Sequence, residues 1–379
     1  IKILFIKREF QIKYFNNVLN REKKPNWIIL SILVLLFTEI FFISLFFVDF
    51  NSASYLISDT FRNSLFTGTV YLLFGIGLTL VYKILNFANF SHGELVIFGP
   101  YIALLALRDI NIGFFPTLTL FIIFAFCTSA MVALIVDFLV YRPLRNKNAE
   151  PVTLMIASIG VSLILRYLLS GYFGQAAQAI TIAGAPYLNV VKAIVIILGV
   201  LFVVLLELML QKTKLGKAMR AMADNPTLAQ ASGIPLGIII LLVWVIGAGF
   251  AGIGGILRLI ANVSFSPSFG FSLLLPTFAV VILGGIGSYR GAIVGGYIIG
   301  FAENVGTFFL IYVRAIINNF PEKLTIEIPI ILGNLSVKSF YINFSFSQEY
   351  QFVIGFLILI AVLLIKPTGI FGEEVSKER

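Results

Sequence analysis

The sequence predicts an all-α polytopic membrane protein with about ten transmembrane helices. Of its 379 residues, 59% are hydrophobic and 12% are charged, which is about half the charged fraction of a typical soluble domain. Mean hydropathy is +1.01. The apolar runs are long and continuous rather than alternating with a period of two. Because a backbone in lipid must satisfy its own hydrogen bonds, such runs favour membrane-spanning helices over a β-barrel.

Ten apolar runs, each interpreted as one span of about 17–25 residues, account for most of the chain. In order they are residues 27–48, 63–82, 94–107, 115–140, 152–169, 190–210, 238–258, 271–283, 292–313 and 351–365. The runs 94–107 and 271–283 are short for a full crossing, and the run 115–140 is long enough to bend.

The placement of basic residues orients these spans. With the N-terminus inside, 19 of the 27 Lys and Arg residues fall in inner segments and six in outer segments, while Arg166 and Lys192 lie within spans. This asymmetry follows the positive-inside rule and predicts that both termini are cytosolic. Membrane topology and anionic lipid account for the net charge of +9, so no nucleic-acid partner is predicted.

By composition, the chain divides into a basic arm, an extra helix, a core and a tail. Residues 1–26 form a cytosolic or interfacial arm without a small-residue cleavage site. The extra N-terminal transmembrane helix is 27–48, the core is 63–366 and the cytosolic tail is 367–379. Within the core, the outer loop 316–350 is too polar to cross the membrane, and its alternating segments predict a short hairpin or cap.

Several classes of site are excluded. Cys127 is the single cysteine and His92 the single histidine, so neither an intrachain disulfide nor a zinc cluster is predicted. The only Gly-Lys pair, Gly216-Lys217, is followed by Ala218, and the P-loop pattern GxxxxGK[ST] therefore fails. We expect no catalytic residue, metal or cofactor in this chain; any ATP would be bound and hydrolysed by a partner subunit.

Polar residues are concentrated between the runs 63–82 and 94–107. They are Asn86, Asn89, Ser91, His92 and Glu94, with Gly93 between the last two. Such residues in a membrane need to face a cavity or one another. A helix break at the glycine would expose backbone groups able to hold an ammonium or a carboxylate. Capping of the following helix explains Asn and Ser here equally well. For His92 we expect a neutral ring bonded to Glu94 or to a neighbouring helix.

Glu303 lies near the middle of the run 292–313. A buried carboxylate in a span costs at least about 2.5 kcal/mol, so it should face a partner or water. Arg166 is one candidate partner. Two interpretations stay open, a structural pair and a residue lining a pathway.

Glycines are concentrated in the second half of the chain. Gly284, Gly285 and Gly287 follow the run 271–283, and the pairs Gly291/Gly295 and Gly296/Gly300 have small-xxx-small spacing. This spacing predicts close helix packing.

The long inner loop 211–237 contains small and charged residues and a predicted short helix. Its candidate contact residues are Gly216, Lys217, Arg220, Ala221, Asn225, Ala229 and Gly233. A short surface helix of this kind can dock in a groove of another protein, although an ordinary positive-inside loop has a similar composition.

Five segments, in order along the chain, resemble one family, the permease subunits of branched-chain amino-acid ABC importers (LivH type). They are VYKILNFANFSHGELVIFGPY, YRPLRNKNAEPVTLMIASIGVSLIL, LGKAMRAMADNPTLAQASGI, FAVVILGGIGSYRGAIVGGYIIGFAE and KPTGIFG. Arg166 departs from the family pattern, because the family often has an amide there, and so does Pro100, which replaces a small residue. Either departure could alter the choice of substrate.

The resemblance implies an ABC-importer permease in a prokaryotic inner membrane. Its expected partners are a second permease, two cytosolic ATPase subunits docked on 216–233, an extracytoplasmic solute-binding protein and membrane lipid. It also implies a pathway role for the polar segment 86–94, for the glycines at 284–287 and for Glu303. The alternatives are the same architecture importing urea or short amides, and a gradient-driven solute carrier.

Overall fold

The computed structural model describes residues 52–107, 110, 112–179, 182, 184–262, 264–319, 351–365 and 368–372. Each predicted run from 63–82 onwards coincides with a helix, which confirms the all-α prediction for this part of the chain. The arm 1–26, the extra helix 27–48 and most of the loop 316–350, with its predicted hairpin, lie outside the described residues.

The elements follow one another in a simple order along the described chain. They are α1 (Ser52–Leu85), α2 (His92–Leu107), α3 (Phe114–Val136), α4 (Arg142–Asn146), α5 (Pro151–Phe173), β1 (Gln178–Ala179), α6 (Leu188–Lys212), α7 (Lys214–Asp224), α8 (Pro226–Ala231), α9 (Leu236–Asn262), β2 (Ser264–Phe265), α10 (Phe269–Gly284), α11 (Tyr289–Asn319) and α12 (Gln351–Ile365). The strands β1 and β2 pair antiparallel, Gln178 opposite Phe265.

Five helical segments of the described chain are long and apolar enough to cross a membrane. They are Ser58–Leu85, Phe114–Asn146, Pro151–Phe173, Leu188–Lys212 and Leu236–Ala261. Helices α2 and α10 have 16 residues each and extend about 24 Å, less than the roughly 30 Å of a hydrocarbon core. The expectation that both are short is confirmed, whereas the total of ten spans stays a prediction.

Three boundaries differ from the predicted ones. Helix α9 continues to Asn262, so Arg258 lies inside the helix rather than at the start of an outer segment. Helix α11 continues to Asn319, so the first four residues of the predicted outer loop are helical. Helix α3 ends at Val136 and passes into a π-helical turn, Asp137–Tyr141, near the end of the predicted run 115–140.

Helix ends follow local chemistry. Pro151 occupies the first turn of α5, where a missing N–H costs nothing. Gly174 ends the same helix with φ 76°, a conformation that a residue without Cβ adopts without strain. Asn86 follows α1 with φ 54°, and asparagine is one of the few other residues that tolerates this region.

The helices are arranged as two groups of long, short and long elements. The first group is α1, α2 and α3, and the second is α9, α10 and α11. Helix α1 packs on α11, as α3 packs on α9, and each short helix packs on the long helices of both groups. The core of the described chain lies where these two groups meet.

The two small-residue pairs of helix α11 contact different neighbouring helices. Gly291 and Gly295 lie against the backbone of α10, whereas Gly296 and Gly300 lie against the backbone of α1. A Cβ on Gly296 would come within 2.7 Å of the Leu72 nitrogen, which real structures do not tolerate. The predicted close packing is therefore confirmed on both faces of the helix.

Candidate functional site

The two short helices begin against each other. Gly93 in the first turn of α2 and Gly270 in the first turn of α10 approach so closely that a Cβ on either would overlap the other's backbone. Phe90, just before α2, packs on Phe278 of α10 with ring centroids 5.0 Å apart. The starts of the two short helices therefore meet at one point, with the backbones of Gly93 and Gly270 in direct contact.

His92 anchors the start of α2 to α1. Its Nε2 atom lies 3.1 Å from the carbonyl oxygen of Phe74, well inside α1. Of the two partners expected for this ring, the neighbouring helix is the one found. The contact holds the start of α2 deep within the helical bundle.

Glu94 forms an ion pair with Arg166 of α5. Its Oε1 atom accepts hydrogen bonds from Arg166 Nη2 at 2.7 Å, Arg166 Nε at 3.0 Å and the Ser162 hydroxyl at 3.2 Å. The Arg166 guanidinium also lies over the ring of Phe271, 4.4 Å from its centroid. Pairing of Arg166 with Glu303, which the sequence suggested, is therefore wrong.

Asn89 and Ser91 join α2 to α3 and α9 through a buried polar network. Asn89 Oδ1 accepts from the Ser91 N–H at 3.0 Å, the Ser91 hydroxyl at 2.7 Å and the Tyr141 hydroxyl at 3.1 Å. Tyr141 stacks on Trp244, with centroids 5.2 Å apart. Trp244 Nε1 in turn donates to Asp137 at 2.7 Å.

Asp137 lies in the π-helical turn that follows α3. It is buried and paired with Arg145 at 2.7 Å, so its charge is compensated within the bundle.

Capping and long-range contacts share the segment 86–94. The N–H groups of Glu94 and Leu95 bond to the Ser91 carbonyl at 3.1 and 3.2 Å, so the first turn of α2 is bonded locally. His92 and Glu94, in contrast, bind side chains and backbone of other helices. A pathway role for this segment stays a prediction.

The surroundings of Glu303 differ from those of Glu94. The Tyr71 hydroxyl donates to Glu303 Oε2 at 2.8 Å, and within the described chain Oε1 has no hydrogen-bond partner. Arg258 lies over the rings of Tyr71, at 5.8 Å, and Phe269, at 5.3 Å. Gly355 of α12 packs close to Oε1. The carboxyl is thus enclosed between α1, α11 and α12.

The glycines after α10 support backbone contacts rather than open space. Gly284 touches Gly291 so closely that neither could carry a Cβ. Gly285, with φ 103°, lies against Gly372, and Phe371 N donates to the Gly284 carbonyl at 3.0 Å. Gly287 lies beside Lys83 at the end of α1. Residues 368–372 of the tail therefore pack against the end of α10.

The inner loop folds as the helix pair α7 and α8. Thr213 caps α7 by accepting from Gly216 N at 3.1 Å, and Asn225 caps α8 by accepting from Leu228 N at 2.9 Å. Met219 and Met222 are buried beneath the pair, so its inner side packs on the bundle.

The predicted contact residues of this pair divide by exposure. Lys217, Arg220, Asn225 and Gly233 are exposed, Ala221 is half-buried, and Gly216 and Ala229 are buried. Gly216 lies against the backbone of Leu210, at the end of α6. The exposed members lie on the outer surface of the pair, while the buried members pack against the rest of the bundle.

The family model of the permease component of branched-chain amino acid transport systems matches residues 60–363. The chain belongs to this family. It is 33% identical over 318 residues to the probable branched-chain amino acid transport permease protein LivH of Methanocaldococcus jannaschii, covering 81% of this chain and 90% of that one.

The matches to two bacterial relatives extend over a larger share of the relative's length. The chain is 30% identical over 337 residues to the high-affinity branched-chain amino acid transport system permease protein BraD of Pseudomonas aeruginosa, and 28% identical over 332 residues to LivH of Salmonella typhimurium. Each match covers 83% of this chain and 96% of the relative. No solved structure matches the chain. The protein is a multi-pass membrane protein of a transport permease family.

Within this permease, sequence reasoning missed several polar partners. Tyr71, Arg258 and Trp244 were hidden because each lies in an apolar run that reads as ordinary span. Arg258 could have been found by extending the span 238–258 by one turn, since Leu259, Ile260 and Ala261 continue it. Tyr71 and Trp244 gave no comparable signal.

Proposed function

We propose that this chain is the transmembrane subunit of an ATP-driven importer for branched-chain amino acids. It forms part of the substrate pathway with a second permease, identical or paralogous. Two cytosolic ATPase subunits supply the energy, and an extracytoplasmic solute-binding protein delivers the amino acid. Membership of the branched-chain amino acid transport permease family is the observation that carries this proposal.

The helix pair α7–α8 is the proposed contact with the ATPase. It is seated by buried methionines and exposes two cations on α7, Lys217 and Arg220, and a leucine on α8, Leu228. A leucine that is 64% exposed, on a pair of helices that also exposes cations, provides the apolar and polar contacts that docking surfaces combine. Both termini are proposed to lie on this cytosolic side, as the basic residues indicate.

The proposed pathway includes the start of α2 and the residues around it. Glu94 and Gly93 lie where α2 meets α10, and Asn86, Asn89, Ser91 and His92 lead to this point from α1. Glu303 is placed in the enclosed packing between α1, α11 and α12. We therefore propose that Glu303 has a structural or lining role rather than that of a proton carrier.

Docking on α8 is tested by Leu228→Asp in the complex reconstituted with its ATPase subunits and binding protein. We expect stimulated ATP hydrolysis to fall about tenfold or more, as at an interface hot spot, while the assembled permease remains soluble in detergent. Asn146→Asp adds the same charge at an exposed inner position outside α7 and α8 and should leave hydrolysis unchanged.

Two further substitutions in this loop should act in the same direction. Bulky residues at Ala221 or Gly233 are expected to abolish solute-stimulated hydrolysis, although Ala221 is half-buried and Gly233 has φ 84°, so both also perturb the local fold. Unchanged ATP turnover and transport in Leu228→Asp and in both of these variants would remove the coupling role from α7–α8.

A further inference from the structure

A groove between helices α3 and α6 lies apart from the site described above. Both helices pack on α9, and the groove between them has a volume of about 400 Å³. Its lining includes Phe126 and Cys127 of α3, Phe202 and Leu205 of α6 and Ile246 of α9. Cys127 and Leu205 are exposed on helices that are long and apolar enough to cross a membrane, so the groove opens towards the bilayer.

The groove is lined by large apolar side chains. Apart from the Cys127 thiol, its lining contains no polar side chain, and it contains no glycine or alanine. Transmembrane helices that pack on each other bring small residues together, as Gly296 and Gly300 of α11 do on α1. In this groove Gly249 of α9 lies beneath the ring of Phe126, which an added Cβ would overlap. The lining therefore favours a flexible apolar chain over another helix.

The groove also does not suit the remaining apolar run of this chain, residues 27–48. That run contains Glu39, and a carboxylate within a span needs a polar partner, which the lining lacks. One turn of a helix about 10–12 Å across occupies about 400–600 Å³, so the whole groove has the volume of about a single turn. An acyl chain, which is narrow and wholly apolar, meets both constraints.

The groove lies at the depth of the cytosolic leaflet. On α6 its lining extends from Phe202 to Met209, and the helix ends at Lys212. At about 1.5 Å per residue, these lining residues lie about 5–15 Å from Lys212 along the helix axis. Half of a hydrocarbon core is about 15 Å thick, and the basic residues of the chain indicate that this end of α6 is cytosolic. An acyl chain that starts beside Lys212 therefore reaches along the whole groove.

The cytosolic end of the groove is basic. Leu205, Met209 and Lys212 follow one another at intervals of four and three residues, so they lie on one side of α6. Lys212 and Lys214 are exposed, and neither side chain has an ion-pair partner within the described chain. Lysines at this level attract the anionic headgroups of the cytosolic leaflet. The apolar groove and its basic end together match the two parts of an anionic phospholipid.

We propose that an anionic phospholipid of the cytosolic leaflet binds here, with one acyl chain in the groove and its phosphate beside Lys212 and Lys214. The lipid fills a gap that the protein itself leaves open, and so supports the packing of α3 and α6 on α9. This site is separate from the polar residues at the start of α2 and from the surface of α7–α8 proposed for the ATPase. The inference does not rest on the importer function.

The test compares two photoactivatable lipids on the full chain in phosphatidylcholine vesicles. Phosphatidylglycerol and phosphatidylcholine, each with a diazirine in one acyl chain, are added separately in trace amounts, and the labelled residues are mapped by mass spectrometry. Around Cys127 and Leu205 we expect phosphatidylglycerol to label about fivefold or more above phosphatidylcholine, the effect of one or more lysines on an anionic lipid. Leu163 of α5, which is 44% exposed and outside the groove, should be labelled equally by both lipids.

Two variants assign the selectivity to the basic end of the groove. Lys212→Gln/Lys214→Gln removes both exposed cations and should bring the labelling ratio in the groove to about one. Lys147→Gln removes an exposed cation at another inner position and should leave the ratio unchanged. The wild-type comparison decides by itself should the double variant fail to fold.

Three results would overturn the lipid site. The first is equal labelling of the groove by both lipids in the wild type, or a ratio that the double variant does not lower more than Lys147→Gln does. The second is a groove that neither lipid labels while α5 is labelled, which would show that a protein segment covers it. The third is loss of groove labelling on addition of glycerol 3-phosphate, which carries the charge without an acyl chain and would assign a phosphate site alone.

Discussion

Glu94 and Glu303 are both buried carboxylates in this permease, and they differ in partner, position and access. Glu94 lies at the start of two short helices and pairs with a cation from a helix that is largely uncovered. Glu303 lies within the long helix α11 and accepts a hydrogen bond from a neutral hydroxyl, that of Tyr71. Its surroundings are closed by α12.

The two carboxylates differ in the charge that burial leaves uncompensated. Glu94 has a cationic partner, Arg166, at the point where two helices begin, whereas Glu303 has a neutral partner within continuous packing. The partner of each carboxylate and its position relative to the helix ends, rather than its burial, distinguish the two.

The largest expected difference is in stability after amide substitution. Glu94→Gln leaves Arg166 without its counter-charge and should destabilise the permease by about 3 kcal/mol, the cost of breaking one partner of a buried pair. Glu303→Gln should cost about 1 kcal/mol or less, because Tyr71 can still donate to the amide oxygen. Denaturation of the purified protein in detergent measures both values.

Addition of Arg166→Gln provides the control for this difference. In the Glu94→Gln background it removes the stranded cation, so a substantial part of the lost stability should return. Equal destabilisation by Glu94→Gln and Glu303→Gln would remove the distinction between the two carboxylates.

The next largest loss of stability is expected from overpacking where the two short helices begin. Gly93→Val places a branched side chain against the Gly270 backbone and should cost about 1–3 kcal/mol through overpacking. Gly160→Ala, at a helical glycine with free space around it, should be neutral or stabilising by up to about 1 kcal/mol. If both substitutions are tolerated equally in thermal denaturation, α2 and α10 do not meet as described.

A smaller effect is expected from the hydroxyl that holds Glu303. Tyr71→Phe removes the donor and leaves a buried carboxyl oxygen unsatisfied, which should cost about 1–2 kcal/mol. Combined with Glu303→Leu, the loss attributable to Tyr71→Phe should largely disappear, since no acceptor remains. Additive losses in this double-mutant cycle would show that the two side chains do not interact.

Much of the helical framework could be predicted because its signals are local. The runs 152–169 and 190–210 differ from α5 and α6 by only a few residues, since continuous apolar residues bounded by Pro151, Gly174 and polar ends define them. The shortness of α2 and α10 was visible for the same reason.

Pairing between helices could not be predicted from these signals. Arg166 pairs with Glu94, 72 residues earlier in the chain. Its choice of Glu94 rather than Glu303 depends on where α2 begins within the bundle, and the local signals do not give that position. Asp137, in the π-helical turn, pairs with Arg145 and accepts a hydrogen bond from Trp244 of α9. These pairings depend on the arrangement of backbones, which leaves no periodic trace in the sequence.

The orientation of the chain in the membrane can be tested with substitutions that are not expected to destabilise the protein. The inner placement of 19 of the 27 basic residues predicts that both termini and a tag inserted between Thr227 and Gln230 are cytosolic. The loop near Ser336–Tyr341 should be external. Single cysteines replacing Lys214 and Lys338, in a Cys127→Ser background, should react with an impermeant thiol reagent from opposite sides. Labelling of both from one side would reject this orientation.

The most direct test of the account is leucine uptake by wild type and Glu303→Gln, measured with ATP and with a proton gradient supplied separately. Uptake should require ATP on the cytosolic side, ignore a collapsed gradient and largely persist in Glu303→Gln, because an amide can replace a structural or lining carboxyl. A proton-coupled carrier needs a group that gains and loses a proton each cycle, which glutamine cannot do. Wild-type uptake that requires a pH gradient and no ATP, and that Glu303→Gln abolishes, would contradict the importer function and the assignment of Glu303.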